Sequence, residues 1–169
     1  TAVGITAIGN RALCSNTTGA SNTAVGICSM RSNTTAADNV AVGFCSLFTN
    51  TTGCRNTAVG LLAGLGNTTG IENSFFGRLA GCENTTGGAN TGIGSSSFSS
   101  NTTGTQNTAI GNSALETNTT AGKNVAVGYR ASGGNTTGTR NVAVGTCAFL
   151  VSTTASDSVM IGFTAGDAI

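Results

Sequence analysis

Glycine returns at every seventeenth position of this chain without a slip: Gly9, Gly26, Gly43, Gly60, Gly77, Gly94, Gly111, Gly128, Gly145 and Gly162. A period that short cannot hold a strand, a crossover helix and a second strand, which together need about 30 residues. It does fit one coil of a stack in which each unit buries its apolar side against the next. The residue before each glycine is always apolar: Ile8, Val25, Val42, Val59, Phe76, Ile93, Ile110, Val127, Val144 and Ile161. Asn16, Asn33, Asn50, Asn67, Asn84, Asn101, Asn118 and Asn135 each open an Asn-Thr-Thr triplet at the same step. The expectation is an all-β chain, a parallel β-solenoid (β-roll) of about ten 17-residue coils. It forms one domain over 1–169, with irregular ends at 1–5 and 152–169.

In Asn107–Lys123, the segment Thr108-Ala109-Ile110 favours a strand, and Gly111 permits a backbone conformation that a Cβ resists. A second extended piece is expected near Ser113, Ala114 and Leu115, and Asn118-Thr119-Thr120-Ala121 turns the chain. Glycine and β-branched residues oppose helix. The branched column is expected to line the inside. It should face a small column, Ala12, Ser29, Ser46, Ala63, Ala80, Ser97, Ala114, Ala131, Ala148 and Ala165. The other side of the strand is also mostly small (Ala7, Ala24, Ala41, Ala58, Ala109, Ala126, Ala143), either plain solvent-facing positions or a place of close approach by another surface. Asn22, Asn39, Asn56, Asn73, Asn90, Asn107, Asn124 and Asn141 form a further column, and stacked amides can hydrogen-bond along an axis. Charges stack in one column, Asp38, Arg55, Glu72 and later Lys123, Arg140, Asp157, as exposed pairs worth under about 1 kcal/mol each.

Composition narrows the function. Charged residues are 8% of the chain and the net charge is +1, far from the basic surface that phosphate neutralisation needs, so no nucleic-acid partner is expected. No apolar run approaches the roughly 18 residues of a membrane span. The chain starts at Thr1, which reads as a processed chain or a segment of a longer one, so targeting information is expected to be lost. Histidine is absent, and Asp38, Glu72, Glu83, Glu116, Asp157 and Asp167 are scattered without a pairing motif. Neither an enzyme nor a metal or cofactor site is expected.

The eight triplets satisfy the acceptor rule for N-linked glycans, once per coil on a turn, and a sugar row would give a weakly charged chain solubility. Asn and Thr are also plain turn and ladder residues, and sugars about 4.8 Å apart would crowd one another. Cys28 and Cys45 share a column in consecutive coils, a candidate disulfide or a pair of small buried thiols. Cys14, Cys54, Cys82 and Cys147 receive no partners.

The stretch NTAIGNSALETNTTAGK, residues 107–123, resembles the seventeen-residue repeats (NTAIGxxALxxNTTGxxN) of bacteriophage tail-fibre shafts and related bacterial surface proteins. More distantly, the Ala-Val-Gly strand with a later Ala or Ser is similar to the head repeats of trimeric autotransporter adhesins, which are left-handed parallel β-rolls with a shorter repeat. The resemblance runs from about Thr6 to Gly166 and implies an extracellular fibre or adhesin shaft, on a cell or virion surface. Three functions follow as expectations: a filament of protomers stacked end to end, a trimeric fibre shaft, and an ice-binding solenoid using the row Thr17, Thr34, Thr51 and its successors. The length, one residue short of ten repeats, would let Ile169 and the Thr1 of another copy nearly keep the phase. Self is the expected partner.

Overall fold

Each coil contributes one three-residue strand, and every strand falls on the triplet just before the periodic glycine, most often Thr/Val-Ala-Val/Ile. In the structure, a computed structural model describing residues 2–167, these are β1 (Thr6–Ile8), β2 (Thr23–Val25), β3 (Val40–Val42), β4 (Thr57–Val59), β5 (Ser74–Phe76), β6 (Thr91–Ile93), β7 (Thr108–Ile110), β8 (Val125–Val127), β9 (Val142–Val144) and β10 (Val159–Ile161). They form one parallel sheet in sequence order. The register never shifts: Thr6 pairs with Thr23, Ala58 with Phe75, and Ile161 with Val144, always seventeen residues apart. The described residues are thus a β-solenoid without helix. The juxtaposition of Thr1 and Ile169 lies outside them.

The second extended piece does not form. Between glycine and asparagine the chain runs through consecutive tight turns, with Ala12 N–H donating to Gly9 O at 3.2 Å and Asn16 N–H to Leu13 O at 3.1 Å. The cause is backbone sign. Ser113 has φ +55° and Leu115 φ +49°, and most of their equivalents in other coils are positive too, so the segment near Ala114 alternates hand instead of extending. An isolated leucine avoids that region by about 1–2 kcal/mol. Here the neighbouring coils fix it, because Leu115 N–H donates to Ala131 O at 3.1 Å and Ser113 N–H to Ser95 O at 3.0 Å.

The strand also faces the other way from expectation. Its central column, Ala24, Ala41, Ala58, Phe75, Ala109, Ala126 and Ala143, is fully buried. The branched column looks outward: Ile8 is 60% exposed and Ile110 37%, while Val25, Val42 and Val59 are half-buried. The expected small column is inside as anticipated, with Ser29, Ala63, Ala114 and Ala148 at 0% exposure. The large core residue is the next one along, Leu13, Met30, Leu47, Phe98, Leu115 and Phe149.

Volume explains this assignment. A coil this narrow holds at most one large side chain per layer, and the two inner columns trade it. Where the strand centre is Phe75, the later position of its coil holds Gly81 and that of the coil below holds Gly64; a Cβ on Gly81 would lie 2.5 Å from Cδ1 and Cζ of the Phe75 ring. Where the later position is Phe98, the strand centre is Gly92. Gly166 faces Met160 in the same way, with a would-be Cβ contact of 2.8 Å to its sulfur. Ser132 takes the large position in its coil, and its buried hydroxyl has no hydrogen-bond partner.

Candidate functional site

The surface on which one coil meets the next is the most regular site in the molecule. It is built around two asparagine columns and a carbonyl they share. In the triplet column, Asn67 Nδ2 donates to Asn50 Oδ1 at 2.8 Å and to Gly70 O at 3.1 Å, and Asn67 Oδ1 accepts from Asn84 Nδ2 at 2.8 Å. In the strand-entry column, the Asn73 main-chain N–H donates to Asn56 Oδ1 at 2.9 Å and its Nδ2 to Gly87 O at 2.8 Å. Asn84 Nδ2 reaches the same Gly87 carbonyl at 3.0 Å. Most such carbonyls accept both amides of their own coil, the strand-entry asparagine fourteen residues before and the triplet asparagine three before, which locks the two columns into one buried polar spine; at Gly53 only Asn50 donates, because Asn39 Nδ2 turns to Ala37 O at 3.1 Å. A neutral amide carries donor and acceptor on one short side chain, so a column of identical asparagines satisfies itself indefinitely.

The strand-entry ladder is where the sequence places it. The triplet column, expected as glycan acceptors, lies inside instead. Asn33, Asn50, Asn67, Asn84, Asn101, Asn118 and Asn135 are each 0% exposed, and Asn16 is half-buried at the lower end. Nδ2 is the atom a glycan would take, and in the fold it is already bonded to a neighbouring amide and a carbonyl. In the folded coil these side chains are closed to solvent. The shared carbonyl is invisible in the sequence, because nothing in a Gly or Ala side chain marks it.

Beside the spine, Thr17, Thr34, Thr51, Thr68 and Thr85 donate their hydroxyls to the main-chain carbonyl of the next threonine up, at 2.8–3.1 Å. Those hydroxyls, expected as a water-ordering row, are committed to coil-to-coil bonding.

The ladders stop near both ends. Ile5 stands below Asn22 in one column, and Ser158 stands above Asn141, where only its main-chain N–H reaches Asn141 Oδ1, at 3.1 Å. In the triplet column Ser152 replaces asparagine above Asn135, and Asn135 Oδ1 is left buried without a partner. An unpaired buried acceptor costs about 1–3 kcal/mol. Ser152→Asn is therefore expected to raise stability by roughly 1–2 kcal/mol, read as a higher urea midpoint with an unchanged slope; no rise would mean that water already serves Asn135 Oδ1.

The charged column forms two exposed ion pairs, Arg55 with Glu72 at 3.0 Å and Arg140 with Asp157, whose second oxygen accepts from Nη2 at 2.8 Å. The hydrogen bond and charge of Arg140 hold the Asp157 carboxyl below its usual range. Cys28 and Cys45 stack in consecutive coils as free thiols. Burial pushes the Cys45 thiol up and the Cys28 thiol beside it adds to the shift. Cys14, Cys54, Cys82 and Cys147 are free as well. Among the described residues no three His, Cys, Asp or Glu side chains converge as metal ligands, and no helix is long and apolar enough to cross a membrane.

The outward side of the sheet is the other notable surface. Ile27, Phe44, Leu61, Phe76, Tyr129 and Phe163 are each at least 40% exposed on it, in or beside the branched column. No family model, curated protein or solved structure matches this chain, so its function is read from the spine, the sheet face and the two ends.

Proposed function

We propose that this chain is a structural component of an extracellular fibre or filament, a stiff β-solenoid lengthened by end-to-end stacking of protomers. The supporting observation is that every coil offers the next an identical set of contacts. Carbonyls such as Ile8 O accept from the coil above through Gly26 N–H at 2.7 Å, while Thr6 N–H donates upward to Asn22 O at 2.9 Å. By the same rule, among the described residues the Gly9 and Arg11 amides have no coil beneath them, and the Val159 amide and the Ile161 carbonyl have none above. Such edges are complementary and invite strand pairing. A joint between copies would bring Ile5 and Ser158 where the ladder needs asparagine, so it would be weaker than a coil-to-coil contact inside one chain.

Filaments formed this way should lengthen with protein concentration and give a strong reflection at about 4.8 Å along the fibre axis. Dispersed monomers by light scattering, with no rods in electron micrographs across the same concentrations, would overturn the proposal.

A second reading, a trimeric fibre or adhesin shaft on a cell or virion surface, draws on the apolar sheet face. Ten coils at about 4.8 Å by five residues at about 3.3 Å give a flat strip of roughly 800 Å². That is about what each partner of a stable complex buries. A threefold mass in solution, lost on Phe44→Glu, would favour this reading over open stacking. Both are structural, and neither assigns a catalytic group.

A further inference from the structure

Nearly every column that repeats without variation serves the architecture: glycine at the tight passage, asparagine in the spine, small residues in the core. One does not. Thr18, Thr35, Thr52 and their successors at steps of seventeen to Thr154 are exposed in all nine described coils that carry them, and none of their hydroxyls takes part in a hydrogen bond. The threonine just before each of the first eight uses its hydroxyl internally, as Thr51 does toward Thr68 O at 3.1 Å. The idle column's main chain is held without help from its side chain, Thr35 N–H donating to Thr51 O at 3.4 Å and Thr86 N–H to Thr102 O at 3.1 Å. An N-linked acceptor triplet would require a hydroxyl residue here. Yet Thr154 persists where Ser152 has replaced the asparagine, so the threonine does not depend on one.

A groove adjoins the row. Coil five carries Gly88 and Ala89 between the larger Ile71 and Glu72 below and Thr105 and Gln106 above, which opens a cleft of about 450 Å³ beside Thr86. Its lining is apolar at the exposed Ile71, and Gln106 and the Glu72 oxygen not used by Arg55 present hydrogen-bonding groups. That combination suits a pyranose, whose ring C–H faces pack on apolar surface while its hydroxyls bond outward.

We propose that this threonine column is an acceptor row for O-linked sugars. The threonine Oγ1 attacks the anomeric carbon of an activated sugar, a nucleoside-diphosphate or lipid-diphosphate sugar. An O–C bond forms, the bond from anomeric carbon to phosphate oxygen breaks, the nucleoside or lipid diphosphate leaves, and the hydroxyl proton passes to a base of the transferring enzyme. The first sugar at Thr86 lies in the cleft. Acceptors about 4.8 Å apart restrict the row to slender, unbranched chains. This proposal does not rest on end-to-end stacking, and its failure would leave that reading untouched.

The test is peptide mapping by electron-transfer fragmentation, on protein purified from the cells that make it. Sugar-mass increments on Thr18-type residues, removed by alkaline β-elimination and not by an amide-cleaving glycosidase, are the expected result. Thr86→Val should remove one glycopeptide and leave the melting curve unchanged, and Thr154→Val should do the same in a coil without the asparagine. Unmodified threonines throughout, or sugars mapped to the triplet asparagines, would overturn it.

Discussion

Replacing Gly60 by alanine is expected to cost about 4 kcal/mol or more and to split the stack near its middle. Two effects add. Gly60 has φ +141°, a region in which a residue bearing a Cβ is strained by about 1–3 kcal/mol. An added Cβ would also overlap Gly77 O and lie 2.7 Å from Gly77 C in the coil above, and main chain pinned by its own ladder cannot retreat cheaply. The chain contains the controls. Gly162 has φ +131° but among the described residues would meet only the Ala165 Cβ at 3.8 Å, so Gly162→Ala measures strain without the clash. Gly53 has no such φ, and its would-be Cβ overlaps Gly70 O, yet Ala36 and Ala121 occupy its column, so the stack can yield there. Gly53→Ala should cost about 1 kcal/mol, the size of an ordinary substitution. Urea midpoints of the three variants test the ranking. Equal losses for Gly60→Ala and Gly162→Ala would show that close passage between coils is not what holds the glycine column invariant.

That invariance makes the fold legible. A period that never slips fixes the pairing register before any side chain is considered, and β1 to β10 fall where the triplets put them. Which side of the strand faces inward is not legible in the same way, because constancy along a column is a poor mark of burial. The branched column is constant yet half-exposed, whereas the true large core column varies through Leu13, Met30, Gly64, Phe98 and Ser132. In most coils that column trades volume with its partner, while Ala58 with Gly64 and Ala126 with Ser132 hold no large side chain at all. The signal is present in the sequence as a pair of anticorrelated columns, Phe75 with Gly81 and Gly92 with Phe98. The turns after the glycine are hidden for another reason. Leucine and arginine at positive φ contradict their own preferences, and only the ladder of neighbouring coils imposes that sign on them.

The spine yields the second large effect, through a substitution that exchanges one amide nitrogen for oxygen. Asn67→Asp keeps the shape and removes the side chain's only donor group, so a carboxylate oxygen would face both Asn50 Oδ1 and Gly70 O, two acceptors now about 3 Å away. The site is 0% exposed, so water cannot relieve the conflict. A buried charge deprived of its partner costs about 3–5 kcal/mol. Burial and facing oxygens both disfavour the anion, which lifts this carboxyl in the folded chain above its unfolded value of about 3.9. The folded state then binds more protons than the unfolded state across that interval, so stability falls as pH rises through it. The variant should be closest to the parent near pH 4 and most destabilised at neutral pH, where the parent has no matching dependence. Asn16→Asp supplies the comparison. Asn16 is half-buried with no coil-to-coil amide beneath it, and its Nδ2 donates only to Gly19 O at 3.0 Å, so a smaller loss and a weaker pH slope are expected. Thermal melts of both variants between pH 4 and 8 decide the matter. A flat difference between Asn67→Asp and parent across that range would mean that the spine admits water, and the account of these asparagines as a sealed ladder would fail.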